Sequence, residues 1–188
     1  MMEHFFQGLE GWFNFQPIYK HMVDSGKDGN HFVEVGAWKG KSTAFMAVEI
    51  MNSGKHIKFD VIDTWLGSDE HQMGKLWEDQ DVINNRLFEV FNKNMRPVEG
   101  FYHAKRMTSL EAAALYDDNS LDFVLLDASH AYQDVKADIQ AWLPKIKSGG
   151  ILAGDDYQSD WPGVVDAVTE MIPAPLTIDW VTWIYHKP

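Results

Sequence analysis

Three aspartates and one histidine in the second half of the chain have the types and spacing that chemistry needs. Asp127 closes the apolar run LDFVLL, and Asp155 and Asp156 close the run ILAG. Both runs read as buried strands, and neighbouring parallel strands bring their carboxyl ends together at one edge of a sheet. Three carboxylates gathered there repel one another unless protons or a cation compensate, and a hard divalent ion such as Mg2+ suits an all-oxygen set. Held by Asp127, Asp155 and Asp156, it can bind two substrate oxygens and lower the pKa of a hydroxyl. The opposing reading is that one or two of these aspartates cap the turns that follow. His130 comes three residues after Asp127. A neutral imidazole there can take a proton from an acceptor, since its unperturbed pKa is near neutrality. It can equally cap or bond across the loop.

The element that must serve these groups is HFVEVGAWKGKS, residues 31–42. It reads as a buried strand over 31–35, a tight turn from Gly36 to Gly40, and a helix from Lys41. Such a unit presents free N–H groups and the positive end of a helix dipole at the carboxyl end of a strand. Glu34 can accept from an amine, and the N–H groups near Lys41 and Ser42 can take a carboxylate. The local alternative for Glu34 is a carboxylate that satisfies neighbouring backbone N–H groups. The second strand, 56–62, ends at Asp63, 27 residues after Gly36. That is the distance at which a strand–helix–strand unit returns a carboxylate to the turn, where it can bond the hydroxyls of a ribose.

The rest of the chain keeps the strand–helix rhythm. Residues 1–30 are aromatic-rich and carry a short helix opened by Pro17, a segment packed over the sheet or a flap over a substrate. Residues 66–81 form a connection longer than an ordinary strand–helix loop and are expected to act as a lid. Ile83, Leu87 and Phe91 mark one helix ending before Pro97. A third strand is expected over 98–103, a short helix over 109–115, and a long helix over 131–146. Ser148, Gly149 and Gly150 turn into a fifth strand over 151–154. A helix over 164–171 precedes two closing strands, 177–181 and 182–186, with no crossover helix between them, which argues for an antiparallel pair.

At 188 residues the chain suits one well-packed domain and is short for two. With 45% apolar and 23% charged residues it is expected to fold alone. A net charge of −12 argues against a surface that tracks nucleic-acid phosphates. Zero cysteines exclude a disulfide framework and thiolate catalysis. The start MMEHFFQGLE lacks the features of a signal peptide, and no apolar run reaches the length of a membrane span. The expectation is a cytoplasmic protein with a small-molecule partner, bound to neither nucleic acid nor membrane. Exposed aromatics near the amino terminus would favour a homodimer.

Three cofactors compete for the turn. A triphosphate P-loop needs four residues between its first glycine and GK, and GAWKGKS has three. A dinucleotide site wants GxGxxG, but Ala37 and Trp38 stand where the second glycine is expected. A cofactor with ribose and adenine but no phosphate fits Glu34-x-Gly36-x-x-x-Gly40 best. At FVEVGAWKGKST, DTWLGS and LDFVLLDASHAYQDVKADIQAWLPKIKSGGILAGDDY the sequence resembles the class I S-adenosylmethionine-dependent methyltransferases. It is most similar to a small bacterial and viral group related to macrolide-sugar O-methyltransferases and cephalosporin hydroxylase-like proteins.

The resemblance implies a Rossmann-like α/β three-layer sandwich whose seven-stranded sheet has the order 3-2-1-4-5-7-6, with strand 7 antiparallel. It implies that Gly36, Ala37 and Gly40 line the methionine portion of S-adenosyl-L-methionine together with Glu34, Lys41 and Ser42. Asp63 would hold the ribose, with Thr64 and Trp65 beside it, and adenine would lie near Lys105 to Ser109, with Thr108 and Ser109 among its contacts. Asp127 would border the cofactor, ligate the metal with Asp155 and Asp156, and serve catalysis beside the base, His130. Relatives in this group carry GHDY where this chain has GDDY, so Asp155 strengthens an all-oxygen set here. Trp12, Phe13, Phe15, Trp65, Trp77 and Trp161 can form aromatic rims for a sugar-like acceptor, or be core. The implied activity is metal-assisted O-methylation of a small hydroxylated molecule. The alternatives are a protein that binds the same cofactor without methyl transfer, and a metal-dependent hydroxylase-like enzyme.

Overall fold

The computed structural model describes residues 1–68 and 71–188, so two positions of the expected lid, Asp69 and Glu70, lie outside the described residues. Strands β1 (His31–Val35), β2 (Lys58–Asp63), β3 (His103–Arg106), β4 (Leu121–Leu126), β5 (Ile146–Gly154), β6 (Thr177–Asp179) and β7 (Thr182–His186) form one sheet. Its order is β3-β2-β1-β4-β5-β7-β6. The first five run parallel, and β7 is antiparallel to both β5 and β6. This is the order and the antiparallel strand that the resemblance implied. The sheet reverses its winding between β1 and β4, which leaves a crevice outside their carboxyl ends, the place where open α/β sheets bind ligands.

Helices cover both faces because the central strands are apolar on both sides. On one face Phe32, Phe59, Val61, Phe123 and Leu125 pack under α1 (Gln16–Ser25) and α2 (Lys41–Ser53). Phe91 and Met95, on α4 (Leu87–Met95), belong to the same layer. On the other, Val33, Val35, Ile62, Val124, Leu126 and Leu152 pack under α5 (Ser109–Ala113), α6 (Tyr132–Trp142) and α7 (Pro162–Met171). Among the described residues no helix is long and apolar enough to cross a membrane.

Several elements depart from the sequence expectation: the helix expected over 131–146 ends at Trp142, and the strand expected over 177–181 ends at Asp179. The third strand begins at His103 rather than Val98, because Arg96–Val98 closes a 3-10 turn after α4 and pairing with β2 starts only at Asp60↔His103. The single helix expected around Ile83–Phe91 is two, α3 (Gln80–Ile83) and α4. Asp79 caps α3 through the N–H groups of Asp81 and Val82, and Asn85, with φ +52°, separates it from α4. Finally, β5 starts at Ile146 opposite Leu121 and runs through the glycines expected to form a turn, with a register shift before Phe123↔Ile151.

On the α5–α7 face, β2 carries a fully buried carboxylate. Asp60 Oδ2 lies 2.7 Å from His31 Nε2, 2.8 Å from the Tyr116 hydroxyl and 3.0 Å from Lys105 Nζ. Burial alone would raise its pKa, but the bonds from His31, Lys105 and Tyr116 outweigh it and hold the carboxyl well below the usual range. We expect Asp60→Asn to cost about 3 kcal/mol, the penalty for leaving buried partners unmatched. Because the folded-state pKa is depressed, the wild-type advantage is present above pH about 4 and shrinks as pH falls towards the folded value. Urea titrations of both proteins between pH 7 and pH 3 check this; a constant difference would contradict it.

Candidate functional site

The turn after β1 is shaped by what lies against it. Gly36, at φ +89°, donates its N–H to the Ile62 carbonyl at 2.8 Å, and a Cβ there would stand 1.8 Å from the Asp127 carbonyl oxygen. The end of β4 therefore touches the turn backbone to backbone. Gly40, at φ +88°, is the N-cap of α2, and a Cβ on it would press on Phe91 and Met95. Among the described residues no side chain caps α2, so its first N–H groups, near Lys41 and Ser42, retain the anion affinity of a helix N-terminus. Asp63 pins the turn: Oδ2 accepts from the N–H groups of Ala37 at 2.8 Å and Trp38 at 2.9 Å, and Oδ1 from that of Trp65 at 2.7 Å. A carboxylate offers about four acceptor sites, so Asp63 keeps capacity for one more donor from the crevice.

Other residues proposed for the cofactor stand further back. Glu34 is sealed beneath the turn with 0% exposure; it accepts from the Tyr19 hydroxyl at 2.9 Å and the Thr43 hydroxyl at 2.5 Å. Burial pushes its pKa up to about 7 against those bonds, so what it offers here is support for the turn from below, not an open acceptor. Trp65 is likewise fully buried, packed against Phe88 and Phe91, with its indole N–H on the Trp38 carbonyl at 3.0 Å. Thr64 is half-buried next to Asp63. On the adenine side, Thr108 forms a capping box with Glu111, and the Ser109 hydroxyl accepts from the Trp142 indole at 2.9 Å. The two residues thus anchor α5 and join it to α6.

The acidic cluster forms, with one exchange of membership. Ligand-capable atoms of Asp127, His130 and Asp156 all lie within 4.8 Å of one another. His130 Nε2 is 2.9 Å from Asp156 Oδ2, and its ring stacks on Trp161 at 3.9 Å between centroids. Asp156 turns into this group through a left-handed backbone, φ +61°. Asp155, expected as the third ligand, is instead buried and accepts from the Thr182 hydroxyl at 3.3 Å and the Asn14 amide at 3.4 Å. Burial, followed by the charge of Asp156, raises its pKa to about 6. Burial also raises Asp127, with Asp155 and Asp156 adding to it. The site thus concentrates negative charge that protons or a divalent cation would relieve. The carboxylates of Asp127 and Asp156, with Asp155 beside them, could hold such an ion through oxygen, and the His130 imidazole stands within 4.8 Å of both.

Around this edge the amino-terminal segment and the long loop close in. Phe13 and Phe15, like Trp65, are core rather than rim, whereas Trp12 is 55% and Trp77 45% exposed. Trp12 stacks on Trp38 of the turn at 4.7 Å, and His71 leans on the same indole at 4.9 Å. Sequence reasoning missed Tyr19, Asn14 and Thr182, which bond the site carboxylates from distant segments, and it missed Lys39. That lysine lies inside the turn yet meets Glu10, Asp79 and Asp81. Only a surplus of acidic residues in 66–81 hinted that a cation would be needed there.

Comparison with known proteins finds a match over residues 33–157 to the family described as "Methyltransferase domain". A curated relative, the uncharacterized protein y4gI of Sinorhizobium fredii, is 28% identical over 157 residues, which cover 82% of this chain. The chain spans only 16% of that protein's length. Among solved structures, the O-methyltransferase NovP is similar with a TM-score of 0.66 at 20% identity, over 92% of this chain and 78% of that one. The TDP-rhamnose 3'-O-methyltransferase CalS11 of calicheamicin biosynthesis gives 0.61 at 16%, over 91% and 76%. An S-adenosylmethionine-dependent O-methyltransferase of Thermotoga maritima gives 0.58 at 13%, over 92% and 64%. At these identities the structural likeness is one of fold.

Proposed function

The chain belongs to the methyltransferase-domain family, and on that premise we propose that it transfers a methyl group from S-adenosylmethionine to a hydroxyl oxygen of a small, sugar-like acceptor, assisted by a divalent cation such as Mg2+. The observation that carries this reading is the convergence of Asp127, His130 and Asp156 within 4.8 Å, at the sheet edge where Gly36 meets the Asp127 backbone. A base beside carboxylates suits deprotonation of an alcohol, and the fold is shared with three enzymes named as O-methyltransferases.

When bound, S-adenosylmethionine supplies a methyl group on a positively charged sulfur, which in-line transfer to oxygen can take without a covalent enzyme intermediate. The residues of this chain do the rest. The open N–H groups at the start of α2 receive the cofactor's carboxylate, and Asp63 accepts from a ribose hydroxyl with its remaining capacity. Asp127 and Asp156, with Asp155 beside them, would hold the cation, whose charge lowers the pKa of an acceptor hydroxyl. The hydroxyl proton would pass to the imidazole of His130, whose Nε2, 2.9 Å from Asp156 Oδ2, first exchanges that carboxylate for the acceptor hydroxyl, and the imidazolium formed is stabilised by the carboxylates beside it. Trp161, stacked on the ring, keeps the imidazole in place.

Isothermal calorimetry with S-adenosylmethionine and S-adenosylhomocysteine tests the reading. Wild-type protein is expected to bind both, and Asp63→Ala to weaken binding by about tenfold or more, because it removes both the acceptor for the ribose and the carboxylate that holds the N–H groups of Ala37, Trp38 and Trp65 in the turn. If a well-folded wild-type protein bound neither ligand, the methyltransferase reading would fail.

A further inference from the structure

The turn Gly36–Gly40 carries two consecutive side chains that grip the same two segments. Trp38 stacks on Trp12 of the amino-terminal segment and on His71 of the long loop. Lys39, only 4% exposed, sets Nζ 2.5 Å from Glu10 Oε2, 2.7 Å from Asp79 Oδ2 and 3.0 Å from Asp81 Oδ2. Glu10 belongs to the amino-terminal segment; Asp79 caps α3 and Asp81 lies in its first turn. These three carboxylates form a second acidic group whose atoms converge within 4.8 Å, and the ammonium of Lys39 is the cation that sits among them. The Lys39 carbonyl is itself held by Asn94 of α4 at 2.9 Å, and the N–H groups of Ala37 and Trp38 are held by Asp63.

We propose that Lys39 is a positioning residue that fastens the amino-terminal cover and residues 71–81 of the long loop onto the cofactor turn. Building on the methyltransferase reading, the same fastening makes occupancy of the turn and closure of the acceptor side one coupled equilibrium. Without Lys39, three carboxylates at this spacing repel one another, and the turn keeps its hold on the two segments through the Trp38 stack. A ligand that fixes the turn then stabilises the closed loop, and by linkage a closed loop favours the ligand equally. The lysine touches neither cofactor nor acceptor; it acts through Trp38 and the segments it holds.

Trypsin reads this directly, because Lys75 is exposed within the loop. The full chain is digested as wild type, Lys39→Met, Lys39→Arg and Glu10→Gln, with and without S-adenosylhomocysteine, and melting is followed in parallel. In the ligand-free protein, Lys39→Met is expected to speed cleavage at Lys75 about tenfold, with Lys39→Arg restoring much of the resistance. Glu10→Gln, at a site 76% exposed and so safe for folding, is expected to give a smaller increase in the same direction. S-adenosylhomocysteine is expected to slow cleavage in wild type and to lose this protection in Lys39→Met. Unchanged cleavage in both Lys39→Met and Glu10→Gln overturns the fastening, and equal protection of wild type and Lys39→Met overturns the coupling. If wild type does not bind S-adenosylhomocysteine by calorimetry, the methyltransferase reading fails instead, and the ligand-free rates still decide the fastening.

Discussion

His130→Ala is expected to lower kcat for methyl transfer by about 10²–10⁴-fold, the span over which a positioned general base contributes. Binding of S-adenosylhomocysteine should change little, because the imidazole lies among Asp127, Asp156 and Trp161 rather than in the turn. Imidazole added to His130→Ala separates the role of base from a structural one, and it should restore part of the lost rate. A change in kcat below about threefold, with no rescue, would remove His130 from the chemistry and leave it as a support for Asp156.

Gly36→Ala is expected to destabilise the protein by more than about 4 kcal/mol, in the range reserved for backbone collisions in a packed core. Two costs add. A left-handed backbone disfavours alanine by about 1–2 kcal/mol, and the new methyl would lie 1.8 Å from the Asp127 carbonyl oxygen, so β1 and β4 must separate. For a domain of this size that corresponds to a fall in Tm on the order of 10 °C. Gly29→Ala is the matched control: its φ is +85°, yet nothing lies within 4 Å of the added methyl, so only the conformational cost of about 1–2 kcal/mol applies. Comparable losses in the two variants by calorimetric melting would show that the β1–β4 contact is not decisive. Because the colliding atom belongs to Asp127, any Gly36→Ala protein that folds should also lose more activity than stability.

What was legible in the sequence followed from short-range rules. The apolar runs at 31–35 and 121–126 could only be strands buried on both faces, and they are β1 and β4. The glycine turn, the helix from Lys41 and the carboxylates at the strand ends follow from local spacing, so the edge that gathers Asp127, His130 and Asp156 could be placed in advance. The strand order came from family resemblance rather than periodicity, because pairing joins residues far apart in the chain. Short, exposed edge elements were placed least well: β3 is mostly exposed and carries His103, Lys105 and Arg106, so its pattern has no apolar alternation to read.

Side-chain direction and partners belong to the tertiary structure. Asp155 and Asp156 are adjacent in sequence, yet the first turns towards Asn14 and Thr182 while the left-handed backbone of the second aims it at His130. Glu34 reads as a ligand for an amine until Tyr19 and Thr43 are brought onto it, and Lys39 carries no role in the sequence until Glu10, Asp79 and Asp81 surround it. The sequence by itself determined which chemical groups reach the carboxyl edge of the sheet, because strand ends and turns are set by neighbouring residues. Only the tertiary structure decided which of them face one another, because a charge is oriented by whatever distant segment supplies its counter-charge or hydrogen-bond donor.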